Sequence, residues 1–460
     1  MTDSIRKQDG TGVITVVRVP DAPRAAPADG SGEEGIAPVI AVTPSAVAEG
    51  GQLAALTSLR FVAAFGVLVL HYRDLLGPMP AWLLHGIVGG QYGVTFFFIL
   101  SGFILTYRYK GWFAGGVTDT RFWRFQRLRV ARIYPVYLVG LFLDTPWHVI
   151  DRMHAGQLAE VGPTWWASWL LNLVGLQAWV PAVPFAMFWN TPAWSVSAEF
   201  FFYATFPFVC AWLSARHRTT ASLAKLFAAV LLGGLALYVA VIYLLNFVVH
   251  VSGEAQYIFV CYNPLLRYSE FMAGCIAGQF FLQRRSWFPL FSADARRARR
   301  WRDGVLAISI LAVCLRIGSS DYTGPSQWLW LLDVAVKFPI FLVPFTAIIL
   351  AVASGPNFLS FVLERPWMIL LGEASYSLYI IHWSATTFLR MSFLGSYGTP
   401  VVHLLVILAT VGASLLCHRY IEVPWRDRLR GQRNSSAPST SGAGGPPRVS
   451  TSPGEAGPRA

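Results

Sequence analysis

Residues 56–76 read LTSLRFVAAFGVLVLHYRDLL, long enough and apolar enough to cross a bilayer as a helix. The stretch carries Arg60 near one end and His71 eleven residues on. Ionisable groups inside lipid are costly and are kept for function. At helical rise the two lie about 16 Å apart along the axis. Eleven residues is close to three turns, so both look along nearly the same wall of a helical bundle. Asp74 follows His71 by about one turn, near enough to accept from an imidazole nitrogen and fix its tautomer. A neutral histidine held this way takes a proton from a hydroxyl. Each residue also has a plain structural reading. A helix-end arginine snorkels to the interface, and a histidine is satisfied by a neighbouring carbonyl.

The rest of the chain fits a membrane setting. Of 460 residues, 55% are hydrophobic and only 13% charged, where soluble domains carry about 25%. Mean hydropathy is +0.49. The formal charge of +12 is confined to short segments between apolar runs. That is the positive-inside pattern, and it argues against nucleic acid as a partner. Cys210, Cys261, Cys275, Cys314 and Cys417 have no metal-type spacing and read mostly as small buried hydrophobes. Arginine greatly outnumbers lysine, and Ala, Gly and Pro are in excess, which suggests a GC-rich bacterial source.

Apolar runs fall near 56–76, 92–108, 133–150, 193–213, 222–250, 263–282, 304–319, 329–353, 367–390 and 401–420. A further run, 165–180, is short and Trp-rich. If it lies in the interface rather than spanning, the basic segments 108–132, 214–225, 284–302 and 419–430 all share one side. The expected fold is therefore all-α: a polytopic membrane helical bundle of about ten transmembrane helices, with both termini cytoplasmic. Residues 1–52 and 431–460, rich in Ala, Pro, Gly and Ser, are expected as disordered tails around a membrane domain at 53–430. The runs are too long and continuous for barrel strands.

Three further stretches carry candidate chemistry. Arg121, Arg124, Arg127, Arg129 and Arg132 sit in one segment without a lysine. Several share a face if the segment is helical. Two or three of them serve as a positive-inside anchor. Five forked guanidiniums suit phosphates on a cytoplasmic ligand. Next comes Trp194-Ser195-Val-Ser-Ala-Glu199, whose carboxylate needs a partner, arginine being the obvious one. Third, Ser375, Tyr379 and His382 form one polar stripe at helical spacing, and interhelical hydrogen bonding is its simplest reading. Glu270 is another intramembrane carboxylate, with Arg267 the nearest cation. The sequence has no Gly-x-Ser-x-Gly elbow, Walker loop, His-Glu-x-x-His or Cys-x-x-Cys, so it gives no support for serine nucleophiles or a catalytic metal.

These stretches, in this order, resemble the membrane acyltransferase 3 family. The first-span arginine and histidine match Arg60 and His71. An Arg-x-x-Arg-Ile-x-Pro segment matches Arg129, Arg132, Ile133 and Pro135, and Trp-Ser-x-x-x-Glu matches Trp194, Ser195 and Glu199. Ser-x-Ser-Leu-Tyr-x-x-His matches Ser375, Ser377, Leu378, Tyr379 and His382. The resemblance covers roughly residues 53–428. It implies O-acyl transfer from acyl-CoA, a co-substrate rather than a bound cofactor, to a hydroxylated acceptor. That acceptor is a cell-envelope glycan, a lipid-linked sugar or a natural product such as a macrolide. It also implies residence in the cell (inner or plasma) membrane. Many glycan-modifying members carry an extra soluble hydrolase-like domain after the membrane part, which is not expected here. The long N-terminal stretch is outside the family pattern.

Joined to the residue reading, the resemblance gives concrete expectations. Arg129 and Arg132, with Arg121, Arg124 and Arg127 nearby, dock the CoA phosphates, and His71 is the general base. Arg60 has two roles open to it, phosphate contact or oxyanion stabilisation. A transporter or exporter of polar or acylated metabolites is the alternative, since intramembrane charges occur there too. No internal repeat relates the halves of the chain.

Overall fold

A computed structural model describes residues 44–73, 76–77, 79–154, 156, 162–251, 253–283, 286–319, 327–391 and 400–430. Asp74 and most of both expected tails lie outside them. By compactness the chain divides into Met1–Ala46 and Val47–Ala460. The first unit is described only at its last three residues. The helical bundle and its cavities belong to the second.

Among the described residues there is no β-strand. The helices are α1 (Pro44–Tyr72), α2 (Ala81–Val88), α3 (Gly93–Phe113), α4 (Asp119–His154), α5 (Pro163–Leu173), α6 (Val183–Ala186) and α7 (Trp194–Arg216). Then come α8 (Thr220–Tyr243), α9 (Glu254–Tyr262), α10 (Tyr268–Gln283), α11 (Ala295–Gly318), α12 (Gln327–Val336) and α13 (Leu342–Ala353). The last are α14 (Ser360–Leu363), α15 (Pro366–Glu373), α16 (Ser375–Met391), α17 (Pro400–Cys417) and α18 (Val423–Arg430).

Six helical stretches are long and apolar enough to cross a membrane: Ala54–Tyr72, Ala81–Phe113, Thr191–Arg216, Thr220–Val248, Leu332–Ala353 and Val401–Arg428. The protein is thus an all-α helical membrane protein, and six of the ten expected runs meet that standard. The other four are helical but compromised. The run at 133–150 lies on α4 and carries Asp144 and His148. The 263–282 run supplies α10, of 16 residues. The 304–319 run belongs to α11, whose first turns hold five arginines. The 367–390 run is split at Ala374 into α15 and α16. The Trp-rich run forms α5, whose eleven residues span about 16 Å, well short of the hydrocarbon thickness.

The arginine-rich segment is helical. Arg, Leu and Gln are good helix formers, and Asp119 sits in the first turn, where the helix dipole favours an acid. α4 therefore carries Arg129 and Arg132 into the bundle as the continuation of a membrane run. Beside it, α3 and α10 pack backbone to backbone. A Cβ on Gly274 would collide with the Ile99 carbonyl, one on Gly102 with the Phe271 carbonyl, and one on Gly278 with Thr106 and the Phe103 carbonyl. Without a hydrophobic drive between helices in lipid, such small-residue seams supply the packing.

Glu270 pairs with Arg267, the cation nearest to it in sequence. Arg267 Nη2 lies 3.0 Å from Glu270 Oε2, and both are buried. Arg267 also donates to Thr95 Oγ1 at 2.9 Å, and its guanidinium lies 3.9 Å from the Phe338 ring centroid. Cys210, Cys261, Cys275 and Cys417 are buried and Cys314 is exposed.

Candidate active site

Helices α1, α3, α4, α7 and α16 line a cavity of about 100 Å³. Its charged lining is Arg60 from α1, Arg129 and Arg132 from α4, and Glu199 from α7. Arg129 and Arg132 share a face because they are three residues apart in a helix. Arg129 is buried, donates to Tyr109 Oη at 2.5 Å, and lies over the Tyr109 ring at 5.0 Å. Glu199 accepts from the Tyr203 hydroxyl at 2.9 Å. Among the described residues, Arg60 and Arg132 make no hydrogen bond and no ion pair. Three guanidiniums against one carboxylate leave this space positive, and two of the three keep their donors for a ligand.

A second cavity, of about 310 Å³, is lined by His71, Gln91, Arg267, Trp194, Tyr262 and Trp383 among others. Here His71 Nδ1 lies 3.0 Å from His382 Nε2, with the rings stacked at 5.1 Å between centroids. Trp383 meets the His71 ring edge-on at 5.1 Å. His382 is fully buried, and its Nδ1 is 3.3 Å from the Leu378 carbonyl. A carbonyl only accepts, so Nδ1 of His382 carries the proton and Nε2 the lone pair. His71 must then donate from Nδ1.

Among the described residues, only Val94 and Tyr379 line both cavities. The Tyr379 hydroxyl lies 2.9 Å from the Pro192 carbonyl and 2.9 Å from Ser195 Oγ. Ser195 Oγ is 3.0 Å from the same carbonyl. The turn presenting Pro192 depends on Asn190, a non-glycine residue at φ +29°. Buried groups hold it there: its N–H donates to Asp144 Oδ2 at 2.7 Å, and its Nδ2 donates to the Ile380 carbonyl at 3.1 Å. Asp144 Oδ2 also pairs with His148 Nε2 at 2.8 Å.

A family profile described as an acyltransferase domain matches residues 53–419. The chain belongs to the acyltransferase 3 family. Among curated proteins it is 35% identical to "Acyltransferase MdmB" of Streptomyces mycarofaciens over 164 residues, which is 34% of this chain and 38% of that protein. It is 24% identical to "O-acetyltransferase OatA" of Staphylococcus aureus over 397 residues, 82% of this chain and 57% of that protein. "Putative O-acetyltransferase SACOL0978" of the same species is 23% identical over 383 residues, 81% and 57% of the two chains. The chain thus spans well under two thirds of the length of these relatives. No solved structure matches.

The acyltransferase motifs converge, though not as one wall. Arg60 and His71 share α1 but face different cavities, which meet at Val94 and Tyr379. Of the five clustered arginines, only Arg129 and Arg132 line the cavity. Arg121, Arg124 and Arg127 are exposed. Arg121 donates to the Trp112 carbonyl at 3.1 Å, and Arg124 lies over the Trp112 ring at 5.1 Å. Trp194 and Ser195 separate onto the histidine and arginine cavities. Ser375 is buried and lines neither cavity, and among the described residues its hydroxyl has no hydrogen-bond partner. Among the described residues, Glu199 takes Tyr203 as its hydrogen-bond partner and makes no ion pair with an arginine, despite three lining the same space. Sequence reasoning did not single out Tyr203, Gln91, Asp144 or Asn190. Asp144 alone carried a legible signal, as a carboxylate inside an apolar run.

Proposed function

We propose that this protein moves a short acyl group, acetyl being the simplest, from acyl-CoA to a hydroxyl of a glycan, lipid-linked sugar or natural product. One observation carries the reading: a cavity with three arginines meets, at a wall formed by Val94 and Tyr379, a cavity holding His71 in contact with His382. The relatives named as acyltransferases and O-acetyltransferases point the same way. In this reading Arg60, Arg129 and Arg132 hold the CoA phosphates by forked, charge-assisted contacts. The acyl thioester reaches the shared wall, and the acceptor lies in the histidine cavity. His71 Nε2 takes the hydroxyl proton as the oxygen attacks the thioester carbonyl. The tetrahedral intermediate collapses, the C–S bond breaks, and the imidazolium returns its proton to the departing thiolate. Free CoA and the O-acyl ester result. The arginine cavity opens to the cytoplasm of a cell whose plasma (inner) membrane holds the protein, with both termini on that side.

The test is turnover by detergent-purified full chain with acetyl-CoA and a panel of pyranosides and macrolactones. Thiol release and acetylated product are expected for the wild type. His71→Ala is expected to cut kcat by about 10²–10⁴-fold while remaining folded. Arg132→Ala is expected to raise KM for acetyl-CoA far more than KM for the acceptor. Near-wild-type turnover by His71→Ala removes the general base. Acceptor movement across proteoliposomes without any CoA release supports an exporter instead.

A further inference from the structure

Acyl transfer builds negative charge on the thioester oxygen, and something must donate to it. Under the acyl-CoA reading, on which this inference rests, the reacting carbonyl sits where the two cavities meet. The wall there is Val94 and Tyr379, and of these only Tyr379 has a side-chain proton to offer. We propose that the Tyr379 phenol is the oxyanion donor, with Ser195 as the residue that releases it for that task.

Proton bookkeeping supports this assignment. The Tyr379 and Ser195 hydroxyls lie 2.9 Å from each other, and 2.9 and 3.0 Å from the one Pro192 carbonyl. Several arrangements satisfy these distances, since each hydroxyl both donates and accepts and the carbonyl has two lone pairs. In one, Ser195 donates to Tyr379 and Tyr379 donates to Pro192. In another, Ser195 donates to Pro192 directly and the phenol proton no longer has to serve that carbonyl. That arrangement leaves the Pro192 carbonyl paired, so switching to it avoids the penalty of an orphaned polar group. The phenol is then able to turn its proton to a ligand oxygen without breaking up the wall. The site is also rigid. Pro192 follows the buried Asn190, which Asp144 and the Ile380 carbonyl clamp. Tyr379 and His382 stand three residues apart on α16, their rings 6.0 Å between centroids. One helix thus carries the oxyanion donor and the residue that orients the base. Arg60 is left to the donor phosphates. It lines the arginine cavity only.

The step balances. The acceptor oxygen bonds to the acyl carbon, its proton goes to His71, and the carbonyl π pair moves onto oxygen, where the Tyr379 O–H receives it. Collapse returns that pair, breaks C–S, and the thiolate takes the proton from His71.

The experiment compares two non-cleavable CoA analogues bound to purified full chain. One is a methyl ketone in which CH₂ separates sulfur from the carbonyl. The other is its trifluoromethyl counterpart, which hydrates and mimics the tetrahedral oxyanion. The wild type is expected to bind the fluorinated analogue more tightly. Tyr379→Phe is expected to lose most of that preference, to bind CoA itself within about threefold of wild type, and to lose about 10²–10³-fold in kcat. Ser195→Ala, which keeps the phenol but removes the hydroxyl that takes over the Pro192 carbonyl, is expected to weaken the preference, and it carries the test should Tyr379→Phe not fold. An undiminished preference or kcat in Tyr379→Phe overturns the proposal, as does a Ser195→Ala protein with an undiminished preference. If wild type binds neither analogue nor CoA, the acyl-CoA reading itself falls, and this inference with it.

Discussion

At the scale of single residues, the decisive contact joins His71 to His382 across 311 positions of sequence. A histidine in a membrane helix has two nitrogens and little water to choose between them. Here a buried carbonyl sets His382, and His382 sets His71. Asp74, the local candidate for the same task, lies outside the described residues, whereas His382 has a defined geometry. The consequence is testable. His382→Leu removes the acceptor for His71 Nδ1 and lets the wrong tautomer form. The expected loss is on the order of 10²-fold in kcat, as for other displaced orienting groups, with little change in KM for acyl-CoA. Steady-state kinetics decide it, and an unchanged kcat shows that His382 does not orient the base. The arginines show residue-scale selection in another form. Five share one segment, yet three residues of separation on a buried face bring just Arg129 and Arg132 to the cavity.

At the scale of elements, α16 and the α3–α10 seam do most of the positioning. α16 begins after the break at Ala374 and carries Tyr379 and His382 on one side. Its partner across the wall is the turn 190–195, fixed by Asp144 from α4. The seam keeps α3, which lines both cavities through Val94, at a set distance from the Arg267–Glu270 pair that opens α10. Gly274 is the tightest point, since any Cβ there meets the Ile99 backbone rather than a flexible side chain. Gly274→Ala is therefore expected to lower stability by about 1–3 kcal/mol through overpacking, read as a fall in the unfolding temperature in detergent. A variant as stable as wild type means that the seam relaxes and does not fix the two helices.

At the scale of the whole molecule, basic segments share one side if the Trp-rich run does not span. α5 is too short to span, which favours that arrangement. With the arginine cavity on the cytoplasmic side, a cysteine-free chain carrying Arg127→Cys is expected to react with an impermeant maleimide only after cells are opened. One carrying Trp166→Cys is expected to react in intact cells. Both positions are exposed. Labelling of Arg127→Cys in intact cells reverses the orientation and puts the donor reading in conflict with a cytoplasmic pool of acyl-CoA.

By itself the sequence determined the class of protein, because apolar run length and charge placement answer to the bilayer rather than to any particular contact. It also marked Arg60, His71, Arg129, Arg132, Glu199, Tyr379 and His382, since polar groups in lipid are too costly to be incidental. It offered Arg267 only as the cation nearest to Glu270, and the structure pairs the two. What only the tertiary structure decided was which of these groups meet. Periodicity placed Arg60 and His71 on one wall, but the packing of α3 and α16 against α1 divides that wall into two cavities. The partners of His71, Tyr379 and Asn190 come from distant segments, and helical spacing holds no information about another helix's rotation or depth. The join at Tyr379 therefore exists only once the helices are packed.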